Sequence, residues 1–243
     1  MMMNLSATAA DRSQLFQLLA LGFVHPVVEL HETLVDGSYQ TRLREVARDG
    51  FEIDVALEAV SNTFADYEAH YIRSFQVGSR GKPQINLNAG DYSSLLDGGS
   101  RPEFLLDYSA WYRHFGLKTN EDDQSNELPD HLVCQLEFMA WLSHLEASNL
   151  KTTGESDSND SELKRGYQSA QRDFCERHLL PFLELLVDAI EKDKFQKSSL
   201  SKQLAKLSLD ATACISAELK RQIGPAQKRS ENDQSIAAVN LWG

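Results

Sequence analysis

Apolar residues recur at helical spacing along most of the chain, and no segment alternates apolar and polar side chains as a half-buried strand does. Leu15, Leu18, Leu19 and Phe23 form one stripe; Asp11 with Gln14 reads as the pair that caps this first helix, and Pro26 stops it. Residues 27–35 give a short second helix ended by Gly37, and residues 39–48 a third ended near Gly50. A long fourth helix is expected over residues 54–75, with Val60, Phe64, Tyr67 and Tyr71 on one face and Phe75 extending it. Residues 76–99, with five glycines and one proline, break the pattern. A loop of that length in a compact domain is usually functional or disordered. Ser100 and Glu103 then make an S-x-x-E cap with Pro102 in the first turn. The fifth helix carries Phe104, Leu105, Tyr108, Trp111, Tyr112 and Phe115 and closes at Gly116. Residues 119–126 are polar and acidic, a hinge or connection. The next helix opens with ELPDHLVCQLEFMAWL, residues 127–142, and places Pro129 in its first turn. Residues 147–161 are almost free of apolar side chains and read as a solvated, disordered insertion. Helices resume over residues 162–178, 181–192 and 198–222. The last of these aligns Leu200, Leu204, Leu207, Ala211, Ile215 and Leu219. Residues 1–10 read as a flexible N-terminus and 225–243 as a polar tail. The expected class is all-α.

Composition narrows what such a helical chain does. At 243 residues it is one large domain or two small ones, big enough to bury a core without disulfides or metals. The formal net charge of −12 excludes nucleic acid as an expected partner, since that needs a basic footprint. Cys134, Cys175 and Cys214 are far apart and odd in number, as free thiols of a reducing compartment are. Residues 15–24 are apolar but lack the basic lead and small-residue cleavage site of a signal peptide, and no run is long enough to span a membrane. The expected location is cytoplasmic, with no stable membrane insertion.

His31-Glu32 begins like H-E-x-x-H, but Val35 stands where the second histidine belongs. No E-x-x-H pairs, zinc spacings, phosphate loops or dinucleotide glycines are present, so neither a metal nor a cofactor is expected. Cys134 lies three residues after His131 near a helix start, a placement that lowers a thiol pKa, yet its neighbours Leu132, Val133 and Leu136 point to a buried structural thiol. Within residues 127–142, Leu132, Leu136, Met139 and Ala140 share a core face. Asp130, Cys134, Glu137 and Trp141 share a second face that mixes charge with an aromatic ring. That face reads either as a groove lining or as a plain helix start with a solvated charge.

Taken together, LFQLLALGFVHP, YEAHYIRSF, FLLDYSAWYRHFGL, ELPDHLVCQLEFMAWL and RDFCERHLLPFLELL resemble, in order, the segments of the TorD/DmsD/NarJ-like chaperones of molybdoenzyme maturation. The likeness covers about residues 11–220. The ELPDHL…LEFM wording and the GDYSSLL loop are most similar to the subgroup serving type II DMSO-reductase-family enzymes, the delta subunit-like proteins. Many relatives have a proline-tyrosine pattern where this chain has Gly90-Asp91-Tyr92, which leaves the role of that loop open.

The resemblance implies a single compact helical domain, about residues 11–224, whose halves (about 11–118 and 127–224) join at a hinge. It implies a non-enzymatic cytoplasmic protein, monomer or homodimer. Such a protein binds a molybdopterin-containing catalytic subunit or its N-terminal twin-arginine leader, and holds the apo-enzyme until the molybdenum cofactor is inserted, before export. Pro129, Asp130 and His131 match the family's leader-binding hinge, with Tyr67, Tyr71 and Phe75 as candidates for an adjoining groove. Asp130 or Glu137 is suited to accept a guanidinium, Trp111, Tyr112 and Trp141 to cover an apolar stretch, and His131 to tune the site near neutral pH. Two other readings stay open: a helical hydrolase or guanine-nucleotide-binding protein using the Asp130–His131 region, and a scaffold whose tail, 225–243, recruits a partner.

Overall fold

The computed structural model describes residues 8–51, 57, 63–77, 81–117, 127–152, 158–192 and 200–226. Among them there is no β-strand; the helices are α1 (Ala9–Leu21), α2 (Val28–Asp36), α3 (Ser38–Phe51), α4 (Phe64–Tyr71), α5 (Arg101–His114), α6 (Leu132–Thr152), α7 (Ser158–Phe174), α8 (Leu180–Lys192) and α9 (Leu200–Ile223). None of the described helices is long and apolar enough to cross a membrane.

Capping explains most of the boundaries. The first helix starts three residues earlier than the Asp11–Gln14 reading. Thr8 is the cap: its hydroxyl accepts the Asp11 N–H at 3.2 Å, and the Asp11 carboxylate accepts the Thr8 N–H at 2.8 Å. α1 ends at Leu21, well before Pro26. Gly22 takes the cap because a Cβ there would lie 2.5 Å from Leu204 Cδ1 and 2.8 Å from Tyr39 Oη. Gly37 closes α2 at φ 81°, a left-handed backbone that glycine adopts without strain. α3 runs through Gly50 to Phe51. The long fourth helix is shorter than expected among the described residues: Thr63 caps it through Asp66, and α4 covers Phe64–Tyr71. It continues as one wide π turn, Ile72–Gln76. Residues 52–56 and 58–62, where the rest of that expectation falls, lie outside the described residues. α5 has the expected Ser100–Glu103 box and Pro102 in its first turn.

Three further boundaries differ from the sequence expectation. α6 begins at Leu132, so Pro129 and Asp130 form a turn before the helix instead of its first turn. The expected insertion at 147–161 is largely helical: α6 reaches Thr152 and α7 starts at Ser158, leaving 153–157 undescribed. α7 and α8 are also continuous, where two separate helices were expected. Pro181 has no N–H to donate, and a π turn at Cys175–Leu179 precedes it, with Leu180 N–H bonded to the Cys175 carbonyl. The wide turn lets the rod pass through the proline.

α1 lies along α6 at the centre; α7 packs on α6 and α9, α8 on α9, and α3 on the other side of α1. Leu15, Phe16, Leu19, Leu132, Leu136 and Met139 are fully buried in that core. α1 also buries a charge that its periodicity did not reveal. Arg12 pairs with Glu146 on α6 and donates to Gln171 Oε1 on α7 at 3.1 Å. Gln171 and Gln168 in turn donate to the two oxygens of Glu146 at 2.8 and 2.9 Å. α5 touches α6 and α7 by a layer of rings. Trp111 and Tyr112 meet Phe138 with centroids 6.4 and 4.8 Å apart, and Trp111 meets Phe174 at 5.7 Å. Such pairs are worth about 0.5–1.5 kcal/mol each beyond area burial. A helix held off by ring contacts leaves room beside it.

Candidate functional site

Residues 129–131 form a clasp on the glycine-containing strap that precedes α5. Ile85 N–H bonds the Ser74 carbonyl at 3.0 Å, which turns the strap back over the molecule. Leu132 N–H then donates to Leu87 O at 2.8 Å, and Ala89 N–H to Asp130 O at 3.1 Å, an antiparallel bridge between Asn88 and His131. Gly90 N–H donates to Asp130 Oδ2 at 2.7 Å. A Cβ on Gly90 would sit 2.9 Å from that same oxygen, so the strap closes only over glycine. Tyr112 OH donates to Pro129 O at 2.6 Å and brings in α5. Gln135 Nε2 donates to Asp130 O at 2.8 Å and brings in α6.

This geometry changes the expected roles. Asp130 has no exposed surface, and burial raises its carboxyl pKa against the opposing pull of the Gly90 N–H and Arg101. It faces the strap instead of solvent. His131 is also buried, and burial lowers its pKa to about 4. Its Nδ1 accepts the Val133 N–H at 3.3 Å, and its Nε2 lies 3.7 Å from Glu127. The ring is therefore neutral near pH 7, with its proton on Nε2. Cys134 is half-buried, and burial with the Glu137 charge pushes its thiol up to about 12. A thiol that stays protonated is no nucleophile. The hydrolase or nucleotide-binding reading is not supported: Asp130 Oδ2 and His131 Nδ1 each take a backbone N–H, His131 Nε2 faces Glu127, and Asp130 Oδ1 is buried away from solvent.

The other candidates fall at two further places. Tyr71 and Phe75 are buried, with ring centroids 5.1 Å apart and the Tyr71 hydroxyl on Phe23 O at 2.9 Å. They anchor the base of the strap under the end of α1. Tyr67 is half-buried against His31, centroids 5.6 Å apart, and burial pushes its pKa up to about 12. Glu137 is exposed on α6, and partial burial raises its carboxyl. Trp141 Nε1 donates to Phe115 O at 3.0 Å, tying the end of α5 to α6.

Trp111 alone of these lines a large concavity, a groove of about 660 Å³ between α5 and α7. Phe104, Trp111 and Phe115 form its aromatic wall, and Gly166, Ser169 and Ala170 its floor. The floor is low because nothing lies within 4 Å of a Cβ placed on Gly166. Asp107, Asp173 and Arg177 form a charged rim, where Asp107 lies 3.4 Å from Nε2 of the buried His178 and Asp173 pairs with Arg172 at 2.7 Å. A shallower hollow of about 530 Å³ continues past Phe115 and Gly166 to Leu145, Leu163 and Glu162. Sequence periodicity missed this floor. The one signal was Gly166 itself, a costly residue inside an otherwise polar helix. Among the described residues no group of three or more His, Cys, Asp or Glu is placed to hold a metal ion.

A concave apolar strip with a charged rim, set on a helical frame and braced by a buried clasp, is a binding surface and not a reaction centre. The chain belongs to the nitrate reductase delta subunit family, whose model matches residues 35–188. It is 36% identical over 245 residues to the dimethyl sulfide dehydrogenase assembly chaperone protein of Rhodovulum sulfidophilum, covering 98% of this chain and 94% of that protein. It is 34% identical over 183 residues to the perchlorate reductase assembly chaperone protein of Dechloromonas aromatica (strain RCB), covering 72% and 75%. The selenate reductase assembly chaperone protein of Thauera selenatis is 35% identical over 121 residues, 50% of this chain and 55% of that one. The resemblance read from the segments is borne out by the family match.

Proposed function

We propose that this chain is an assembly chaperone. It binds the molybdopterin-containing catalytic subunit of a DMSO-reductase-family enzyme in the cytoplasm and holds it during cofactor insertion, before export. The observation that carries this reading is the identity of 36% to a dimethyl sulfide dehydrogenase assembly chaperone, spread over 98% of the chain. The groove supplies the physical means. A twin-arginine leader pairs two guanidinium groups with an apolar run. In this reading the run lies on Phe104, Trp111 and the small residues of α7, and the arginines reach carboxylates of the rim such as Asp107 and Glu162. Glu137 and Trp141 extend the contact along α6. Pro129, Asp130 and His131 act as the hinge where the halves, about 11–118 and 127–224, are held together. Tyr67, Tyr71 and Phe75 brace that hinge from the α4 side.

The test is co-expression with the catalytic subunit of a DMSO-reductase-family enzyme from the same source. The two proteins are expected to co-purify, and a labelled synthetic leader peptide of that subunit to bind in fluorescence anisotropy. Gly166→Trp, whose Cβ has nothing within 4 Å and whose ring would occupy the groove, should weaken the peptide at least tenfold, the loss of about 1.4 kcal/mol. Unchanged affinity in a folded Gly166→Trp protein would place the peptide elsewhere.

A further inference from the structure

The end of α9 is fastened to the helix that floors the groove. Arg172 Nη1 on α7 donates to Gly224 O at 2.9 Å, and Gln168 Nε2 to Gln222 Oε1 at 3.3 Å. Gly166, Ser169 and Ala170 lie on the other side of the same helix. At 3.6 residues per turn and a diameter of about 10–12 Å, half of its circumference is roughly 16–19 Å. The eight residues 227–234, QKRSENDQ, are all polar and span up to about 26 Å when extended, enough for that path. The next segment is not polar, although residues 225–243 as a whole read as a polar tail. Residues 236–242, IAAVNLW, carry a single polar side chain, Asn240. Lys228 and Arg229, then Glu231 and Asp233, precede them, so the order is a charge-balanced polar linker and then an apolar run. The groove offers the complement to that run: an aromatic wall and a floor of small residues.

We propose that residues 235–242 dock in the α5–α7 groove of their own chain, and that an incoming client segment must displace them. The docking stands on the groove and the tail alone; the displacement rests on the chaperone reading above. A tethered occupant competes at the effective concentration set by its short linker, of millimolar order. Even weak contacts then shield Trp111 and the small-residue floor until a better-matched segment arrives. The tail ends in an apolar run like the one proposed for the client, so it acts as a stand-in.

Hydrogen exchange read by mass spectrometry tests the docking in the full chain. The wild type is compared with a variant carrying Ile236→Ser, Val239→Ser, Leu241→Ser and Trp242→Ser, all outside the α1–α9 core. Amides of residues 104–115 and 163–173 are expected to exchange at least fivefold faster in the variant. A synthetic peptide of residues 227–243, added at millimolar concentration, should restore the slow rate. Equal exchange in the two proteins, or no effect of the peptide, overturns the docking. The displacement is read separately with the labelled client leader peptide, which should bind the four-serine variant at least fivefold more tightly than the wild type. Equal affinity overturns displacement while docking stands. A leader that binds neither protein overturns the chaperone reading, and the exchange result still decides the tail.

Discussion

Gly90→Ala puts the clasp under direct stress. The new Cβ would lie 2.9 Å from Asp130 Oδ2, 3.4 Å from Phe104 Cδ1 and 3.5 Å from Arg101 Cγ. The nearest atom cannot step aside freely. It belongs to a fully buried carboxylate, and the Gly90 N–H that holds it at 2.7 Å is lost if it moves. Overpacking a tight site costs about 1–3 kcal/mol, and a hydrogen bond lost from a buried group adds about 1–3 kcal/mol. Part of each is avoided by relaxation of the strap, so the net expectation is about 2–4 kcal/mol. For a chain of this size each kcal/mol lowers Tm by about 2–4 °C, so the melting point should fall by about 4–16 °C at pH 7. Thermal unfolding followed by far-UV circular dichroism reads this directly. The same substitution in an Asp130→Ala background removes the crowded oxygen and should cost less than about 1 kcal/mol, which isolates the contact. A Gly90→Ala protein that melts within about 1 °C of wild type, or equal costs in both backgrounds, would refute the reasoning.

Other predictions test the remaining features. His131 sits near pKa 4 when folded and near 6.5 when unfolded, so the unfolded chain binds the extra proton between those values. Stability is full above about pH 6.5 and falls by about 3 kcal/mol as pH drops toward 4; urea unfolding at several pH values should show this loss in wild type and not in His131→Gln. Glu146→Ala leaves Arg12 buried without its carboxylate and should cost about 3–5 kcal/mol in urea unfolding, and pairing it with Arg12→Met should recover most of that. The thiols of Cys134 and Cys175 are both pushed up to about 12, so native protein at pH 8 should release colour from Ellman's reagent at no more than one of its three cysteines until urea is added.

The helices were readable because their apolar stripes repeat locally. Leu132, Leu136, Met139 and Ala140 are buried where their spacing placed them, and Ser100 with Glu103 caps α5 as its four-residue pattern indicates. Asp130 misled for a definite reason. Its face was assigned by helical spacing, but it precedes the helix, and its partner Gly90 is 40 residues away. The Arg12–Glu146 pair, 134 residues apart, escaped periodicity in the same way. The groove was half-visible. Trp111 stood out as a large ring on an aromatic helix, whereas Gly166, Ser169 and Ala170 acquire meaning only once α5 stands opposite them. The capping pair of α1 was misplaced because Asp11 fits two patterns, and the one realised puts it third in the helix, answering Thr8.

The central claim is that this chain captures the catalytic subunit of a molybdenum enzyme before its cofactor arrives. Size-exclusion chromatography of the co-expressed pair, with molybdenum assayed in each peak, tests it most directly. The account predicts a co-eluting complex of low molybdenum content, and a catalytic subunit that loads poorly when the chain is deleted. A catalytic subunit that elutes alone at every stage and reaches full molybdenum content without the chain would contradict it.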